Sequence, residues 1–329
     1  MKMRMYLALV ITAVISIFVW HKYTNPENKL DEKSHYVIGI IQVVEHPALD
    51  QTRMGILAAL KENGYTNNKN VNVHYESAQG NPALATQIIQ KFIGQKADLI
   101  IAIGTTVAQT AKQATQENKI PVIFASVTDP MNAKLVASLD MPGGNVTGVS
   151  NYISISKQFA FFKRLLPHLK HIGVVYNPGE ANSVTIIDKM NEVSDVFDIT
   201  LHTSPATKTS DVMAATQNLI GKTEAIFINN DNTALSAFDA VVKVANEHEI
   251  PVFVSDIDCV EKGALAALGP DQYELGKQVG QMAHRILSGK TPSNPPVEMP
   301  KKVQAKMNFH VSTKLGIAYQ NDTTELFEG

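Results

Sequence analysis

Behind the apolar run His171–Tyr176 the chain turns through Asn177-Pro178-Gly179 and sets Glu180, Asn182 and Ser183 almost side by side. An acid, an amide and a hydroxyl together can hold a small polar solute, because the acid receives a cation and the other two complete its hydrogen bonds. The arrangement recurs behind other apolar runs: Glu45 and His46 after YVIGIIQV, Thr105 and Thr106 after DLIIAIG, Asp129 after PVIFASV, Asp231 and Asn232 after AIFINN, and Asp256 in PVFVSD. Thr105 and Thr106 open a helical pattern and suit a carboxylate, since the first N–H groups of a helix are free and its dipole favours an anion. Asp129, Glu180, Asp231 and Asp256 suit an ammonium. A zwitterion enclosed among such groups would keep its hydrogen bonds, as burial of charge demands. The candidate ligand site is therefore Glu45, Thr105, Thr106, Asp129, Glu180, Asn182, Ser183, Asp231, Asn232 and Asp256. Thr105, Ser183 and Asp231 also have a plainer reading as helix N-caps. Tyr152, Phe124, Phe159 and Tyr176 are candidates for a flat apolar wall, with core packing as the competing role.

Little suggests turnover. The chain lacks a Gly-x-Ser-x-Gly elbow, a Walker loop, a Gly-x-Gly-x-x-Gly turn and a His-Glu-x-x-His helix. His46 precedes Pro47 at a helix start, which favours a capping or orienting role over acid–base work. The single cysteine, Cys259, rules out an intrachain disulfide and a cysteine-based zinc site. The histidines are scattered, so no catalytic residue, metal or cofactor is expected. A net charge near −2 without a basic stripe argues against nucleic acid.

The elements that must position these turns follow one rhythm. Strands are expected at 36–43, 70–76, 98–104, 121–127, 171–176, 199–204, 225–230, 251–256 and 264–268. Helices are expected at 49–63, 82–95, 105–118, 131–139, 155–166, 182–197, 209–221, 232–248 and 271–288. The strand runs are apolar throughout rather than alternating, as in parallel strands covered on both faces. Strands alternating with helices make βαβ units and a doubly wound sheet. The series runs twice, each time ending in a Pro-led strand (Ile120-Pro121-Val122 and Ile250-Pro251-Val252). The fold expected is α/β, two Rossmann-like lobes with parallel sheets and a cleft where the carboxyl ends of the strands meet. Crossings between lobes are expected at 141–150, 261–264 and 288–292. Lobe 1 is then 35–150 plus 264–289, and lobe 2 is 151–263 plus 290–329.

Residues 1–34 read differently. Lys2 and Arg4 precede an uncharged apolar run from Met5 to Trp20, the layout of an export signal. The run is short for a membrane span, no cleavage site stands out, and no cysteine offers a lipid anchor. A cleaved signal and an uncleaved anchor both remain open, with Thr24 to Ser34 as tether. Either places the folded part in the periplasm or another extracytoplasmic space, touching membrane only through this segment.

The stretches IIQVVEHPALD, PVIFASVTDPMNAKLVASL, PGGNVTGVS, IGVVYNPGEANSV and AIFINNDNTALSAF resemble the tryptophan/tyrosine-type substrate-binding proteins of ABC transporters, and the resemblance runs through almost all of the exported part. It implies the type I periplasmic-binding fold with three crossovers. It also implies capture of a small ligand, often an aromatic amino acid such as Trp, Tyr or Phe, and delivery to a membrane permease with its ATPase by a monomeric, non-enzymatic protein. A periplasmic module reporting to a membrane receptor is the alternative.

Overall fold

The computed structural model describes residues 35–293 and 295–317. The signal or anchor segment and tether expected at 1–34 lie outside the described residues, as does the C-terminal tail.

Apolar, β-branched runs form the strands and amphipathic runs cover them. The first sheet holds β1 (Tyr36–Gln42), β2 (Val71–Ser77), β3 (Leu99–Ile103), β4 (Val122–Val127) and β5 (Val146–Ser150), in the order β2-β1-β3-β4-β5. All its pairings are parallel. Every residue of β3 and β4 is buried, which is why these strands read as unbroken apolar runs. Helices α1 (Pro47–Glu62), α2 (Pro82–Gly94) and α3 (Thr105–Ala114) connect the strands. Pro47 and Pro82 stand in first turns, where a missing N–H costs nothing. The Asn81 side chain caps α2 through the N–H groups of Ala83 and Leu84.

The second sheet holds β6 (His171–Tyr176), β7 (Thr200–Pro205), β8 (Ala225–Ile228), β9 (Val252–Val254), β10 (Ala266–Pro270) and β11 (Val303–Met307), in the order β11-β10-β9-β8-β6-β7. Only β11 is antiparallel to its neighbour. Its helices are α4 (Ile155–Leu165), α5 (Ala181–Ser194), α6 (Val212–Gln217), α7 (Asn232–Ser236) and α8 (Phe238–Glu247). Successive side chains of β8 point to opposite faces. Phe227 accordingly joins Phe162 and Phe253 on one face, where the Phe162 and Phe253 rings stack at 4.2 Å. Ile226 and Ile228 join Val175, Val254 and Phe238 on the other.

The two Rossmann-like lobes are present, and each expected strand appears within about two residues of its place. The lobe boundaries differ from those expected. The sequence pattern places 264–271 in lobe 1, but β10 pairs with β9 and β11 in the second sheet. The chain crosses only after it, and α9 (Gln272–Leu287) packs on α1 of the first lobe. Glycines make this contact close: a Cβ at Gly55 or Gly276 would collide with the facing helix backbone. The third crossing also comes later than 288–292, because Val297 packs in the first core and Glu298 bridges to Val149 before the chain returns to β11. The first falls after β5, not within 141–150, since Val146–Ser150 is itself a strand.

Three further differences have local causes. Residues 131–139 form turns, not a helix. The Pro130 carbonyl takes the N–H of Leu135, Ala137 bonds to Pro142, and Lys134 sits at φ 57°. The helix expected over 232–248 breaks at Ala237, where the Ser236 hydroxyl bonds back to the Asn232 carbonyl at 2.7 Å. The helix at 209–221 shrinks to a 3-10 turn and the short α6.

Candidate ligand-binding site

The carboxyl ends of both sheets face one another across a narrow pocket. Its first-lobe wall is His46, Ala48, Leu49, Thr105 and Ser126, and its second-lobe wall is Asn182, Asn230, Asn232, Leu235 and Asp256. Asn151 on the first crossing and Gln272 on the second close the sides. Its free volume is about 10 Å³, room for one water, so a solute enters only as the lobes part. Outside it opens a broader pocket of about 650 Å³, lined by Val43, Gly80, Thr106, Glu180, Lys208 and Thr233 among others.

The first-lobe wall follows from its turns. Gly104, at φ 105°, ends β3 in a backbone conformation that a side chain would strain, and α3 begins at once with Thr105. No side chain caps this helix, and the buried Thr105 hydroxyl has no partner among the described residues. Ser126, at φ 54°, sits at an irregularity of β4 and bonds to Thr52 at 3.1 Å and Gln272 at 3.2 Å. His46 is buried. Its Nε2 lies 3.3 Å from Asn232 Oδ1 of the opposite lobe, and its Nδ1 has no partner among the described residues. Burial pushes the imidazole pKa down to about 4, which outweighs the upward pull of Asn232, Asp50 and Glu180.

The second-lobe wall rests on two buried acids. Glu180 Oε2 accepts from Asn182 Nδ2 (3.1 Å), the Asn232 backbone N–H (3.0 Å) and Asn232 Nδ2 (2.6 Å); Oε1 accepts from the Thr233 N–H (3.0 Å) and hydroxyl (2.7 Å). Asp231 accepts from the Asn177 N–H (2.6 Å), Ser183 Oγ (2.6 Å) and the Ala234 N–H (2.7 Å). Burial, and then the neighbouring Glu180, raise the Asp231 pKa. Asp256 accepts from the Asp258 N–H and the Cys259 thiol; burial, and then the Asp258 carboxylate, push its pKa up to about 7. The thiol is buried and its own pKa driven upward, so Cys259 is inert packing.

Of the ten residues expected at the site, Thr105, Asn182, Asn232 and Asp256 line the inner pocket, and Thr106 and Glu180 line the outer one. The other four line neither. Glu45 is exposed and receives the Tyr75 hydroxyl. Asp129 caps the turn at Asn132 and meets Lys189 of the second lobe at 3.5 Å. Ser183 and Asp231 are spent on one another and on turn N–H groups. The aromatic candidates line neither pocket: Phe124 and Phe159 are core, and Tyr152 and Tyr176 pack partly buried against the second core. The apolar surfaces of the inner pocket are Ala48, Leu49 and Leu235 instead. Sequence reasoning left His46, Ser126 and Asn230 out of the site although the strand-end rule that found Thr105 also reaches them, and it missed Asn151 and Gln272, which come from crossings and carry no such signal.

Known proteins share this architecture. A family profile described as "ABC transporter substrate binding protein" matches residues 37–326. A "Tyrosine-binding protein" of Clostridioides difficile is 39% identical over 274 residues, 83% of this chain and 79% of that protein. An ABC domain from Streptococcus pneumoniae solved in complex with L-Trp is 32% identical, with a TM-score of 0.85 over 89% of this chain and 98% of that one. The ligand-free, open structure of a C. difficile substrate-binding protein with adhesive properties is 36% identical, over 87% of this chain and 97% of that one, yet its TM-score is 0.68. The described lobes thus sit more nearly as in the L-Trp complex than as in the open protein. The contacts His46–Asn232, Asn132–Thr185 and Asp129–Lys189 across the cleft agree with that. The fold is the type I periplasmic-binding fold.

Proposed function

We propose that this chain, a member of the ABC transporter substrate-binding protein family, captures an aromatic amino acid between its two lobes and hands it to the permease of an importer. Proteins of this family bind their ligand without transforming it, and they work outside the cytoplasm. The observation that carries the proposal is the inner pocket, where Thr105 Oγ1, His46 Nδ1 and Asn182 Oδ1 are buried without partners among the described residues. Buried polar atoms are rarely left so. A zwitterion would supply partners for them, its carboxylate at the uncapped start of α3 beside Thr105 and its ammonium toward Asp256 and the asparagines. The 39% identical tyrosine-binding relative and the L-Trp complex support an aromatic side chain, which would lie against Leu49 and Leu235. The lobes must part to admit such a ligand, and a ligand touching both walls then favours the arrangement that encloses it by its greater affinity for that arrangement.

Thermal melts of refolded protein against each amino acid test this reading. A true ligand at about 100 times its dissociation constant adds about 2.7 kcal/mol, a rise of several degrees. A rise confined to tyrosine, tryptophan and phenylalanine is the expected result. A rise with no amino acid would refute it.

A further inference from the structure

The sequence pattern places Glu180 among the ligand-binding residues, yet both of its oxygens are engaged inside the second lobe. Its use lies in what those bonds do to its neighbours. Glu180 Oε2 takes the backbone N–H of Asn232, which can only donate, so Oε2 is an acceptor. The amide groups of Asn182 and Asn232 that face the same oxygen must therefore present NH₂ to it. The Asn182 NH₂ is held a second time by the Asn230 carbonyl at 2.7 Å, which can only accept. Both amide oxygens are thereby turned away from Glu180. Asn182 Oδ1 is left buried and unpartnered among the described residues, and Asn232 Oδ1 faces His46 Nε2.

The sequence of constraints continues across the cleft. Asn232 Oδ1 is an acceptor, so His46 Nε2 must carry the ring proton. The ring is neutral, since its burial holds the pKa near 4, and Nδ1 is therefore a bare lone pair. It too is buried and unpartnered among the described residues. The pocket thus holds two unanswered acceptors, one from each lobe.

We propose that Glu180 is a positioning residue that fixes the second-lobe wall as hydrogen-bond acceptors and, through Asn232, fixes the His46 tautomer, so that Asn182 Oδ1 and His46 Nδ1 form a subsite for the ligand's ammonium group. The inference rests on the amino-acid reading above and assigns that ligand an orientation. An ammonium carries three donors, enough for both acceptors with one to spare for Asp256. Gln272 makes the contrast: its Oε1 lies within hydrogen-bond distance of the Thr52 and Ser126 hydroxyls and so is already engaged inside the protein.

The test compares L-tyrosine with 3-(4-hydroxyphenyl)propanoate, which lacks only the amino group, by titration calorimetry. Wild-type protein should bind L-tyrosine at least about tenfold more tightly. Glu180→Gln puts a donor among donors and frees the asparagine amides to flip. Asn182→Leu removes one acceptor and leaves Glu180 in place, so it decides the matter if Glu180→Gln fails to fold. Each variant should lose at least about tenfold for L-tyrosine and less than about threefold for the deamino acid. Equal losses for both compounds, or equal wild-type affinities, would overturn the subsite while leaving the aromatic reading standing. If melts show tryptophan or phenylalanine to bind instead, that amino acid with its deamino analogue replaces the tyrosine pair; if they show a non-aromatic amino acid to be the ligand, the aromatic reading fails, and that amino acid with its deamino analogue decides the subsite. Nitrogen-15 shifts of His46 give a second reading: an Nε2–H tautomer agrees, and an Nδ1–H tautomer refutes.

Discussion

On the first lobe the Thr105 hydroxyl and His46 Nδ1 have no partner among the described residues, and the start of α3 is uncapped by any side chain. On the second lobe Glu180 and Asp231 together gather eight hydrogen bonds from Asn177, Asn182, Ser183, Asn232, Thr233 and Ala234. All eight lie within that lobe, so its wall is assembled whether or not the cleft is closed. The difference separates two jobs. The second lobe offers a pre-organised face, whose ordering cost is met in folding rather than in binding. The first lobe brings the Thr105 hydroxyl and His46 Nδ1 to the pocket without partners among the described residues, the second brings Asn182 Oδ1, and under the proposed function filling these groups from both sides drives closure.

The comparison breaks most visibly at Asp231. Its replacement by alanine strands the N–H groups of Asn177 and Ala234 and the Ser183 hydroxyl, so Asp231→Ala should cost about 3 kcal/mol of stability, read in a denaturant titration. An unchanged midpoint would mean the second wall is not held together by its acids.

Next comes Asp256. Its carboxyl holds a proton up to about pH 7 in the folded chain, against an ordinary value of 3.8. Between those values the native state binds more protons than the unfolded one, so this group's contribution to stability falls as pH rises from about 4 to 7. His46 runs the other way: with its folded value near 4 against 6.5, its contribution is lost as pH falls from about 6.5 to 4. Asp256→Asn should thus be more stable than wild type at pH 8 and converge on it near pH 4, in melts across that range. Parallel curves would contradict the raised value. The same variant should bind an amino acid less tightly.

Thr105→Val sharpens the contrast from the first lobe. The hydroxyl has no partner to lose among the described residues, so the melting temperature should barely move while affinity drops about tenfold, or about 1.4 kcal/mol, by calorimetry. A stability loss without an affinity loss would make Thr105 a structural residue. The smallest effect belongs to the rim: Lys189→Met removes the half-exposed bridge to Asp129, which should change affinity by less than about 1 kcal/mol and only at low salt. A larger change that persists in salt would move the binding energy out of the inner pocket.

How much was legible follows the same division. The fold showed itself where strands are buried on both faces, as in Leu99–Ile103, because periodicity records burial. Val146–Ser150 escaped because its glycine-rich surroundings carry no strand pattern, and Val303–Met307 because an antiparallel strand of half-buried residues leaves only a weak one. Residues 131–139 misled because Leu135, Val136 and Leu139 have helical spacing while backbone bonds to Pro130 and Pro142 hold turns. At the site, residue type and strand-end position picked out Thr105, Asn182, Asn232 and Asp256. They could not tell a carboxylate that lines the pocket, such as Asp256, from one whose oxygens are taken up by its own lobe, as those of Asp231 are. Satisfaction of hydrogen bonds makes that distinction, and it exists only in three dimensions.

The central claim, that an aromatic amino acid is held between these walls, meets its most direct test in fluorescence. The chain's one tryptophan is Trp20, so a chain starting at Ser34 contains none. Titrating L-tryptophan into such refolded protein should give a saturable, blue-shifted indole emission that L-tyrosine competes away and that Thr105→Val weakens about tenfold. Emission that stays that of free tryptophan at every protein concentration, with L-tyrosine and L-phenylalanine equally silent in calorimetry, would contradict the account.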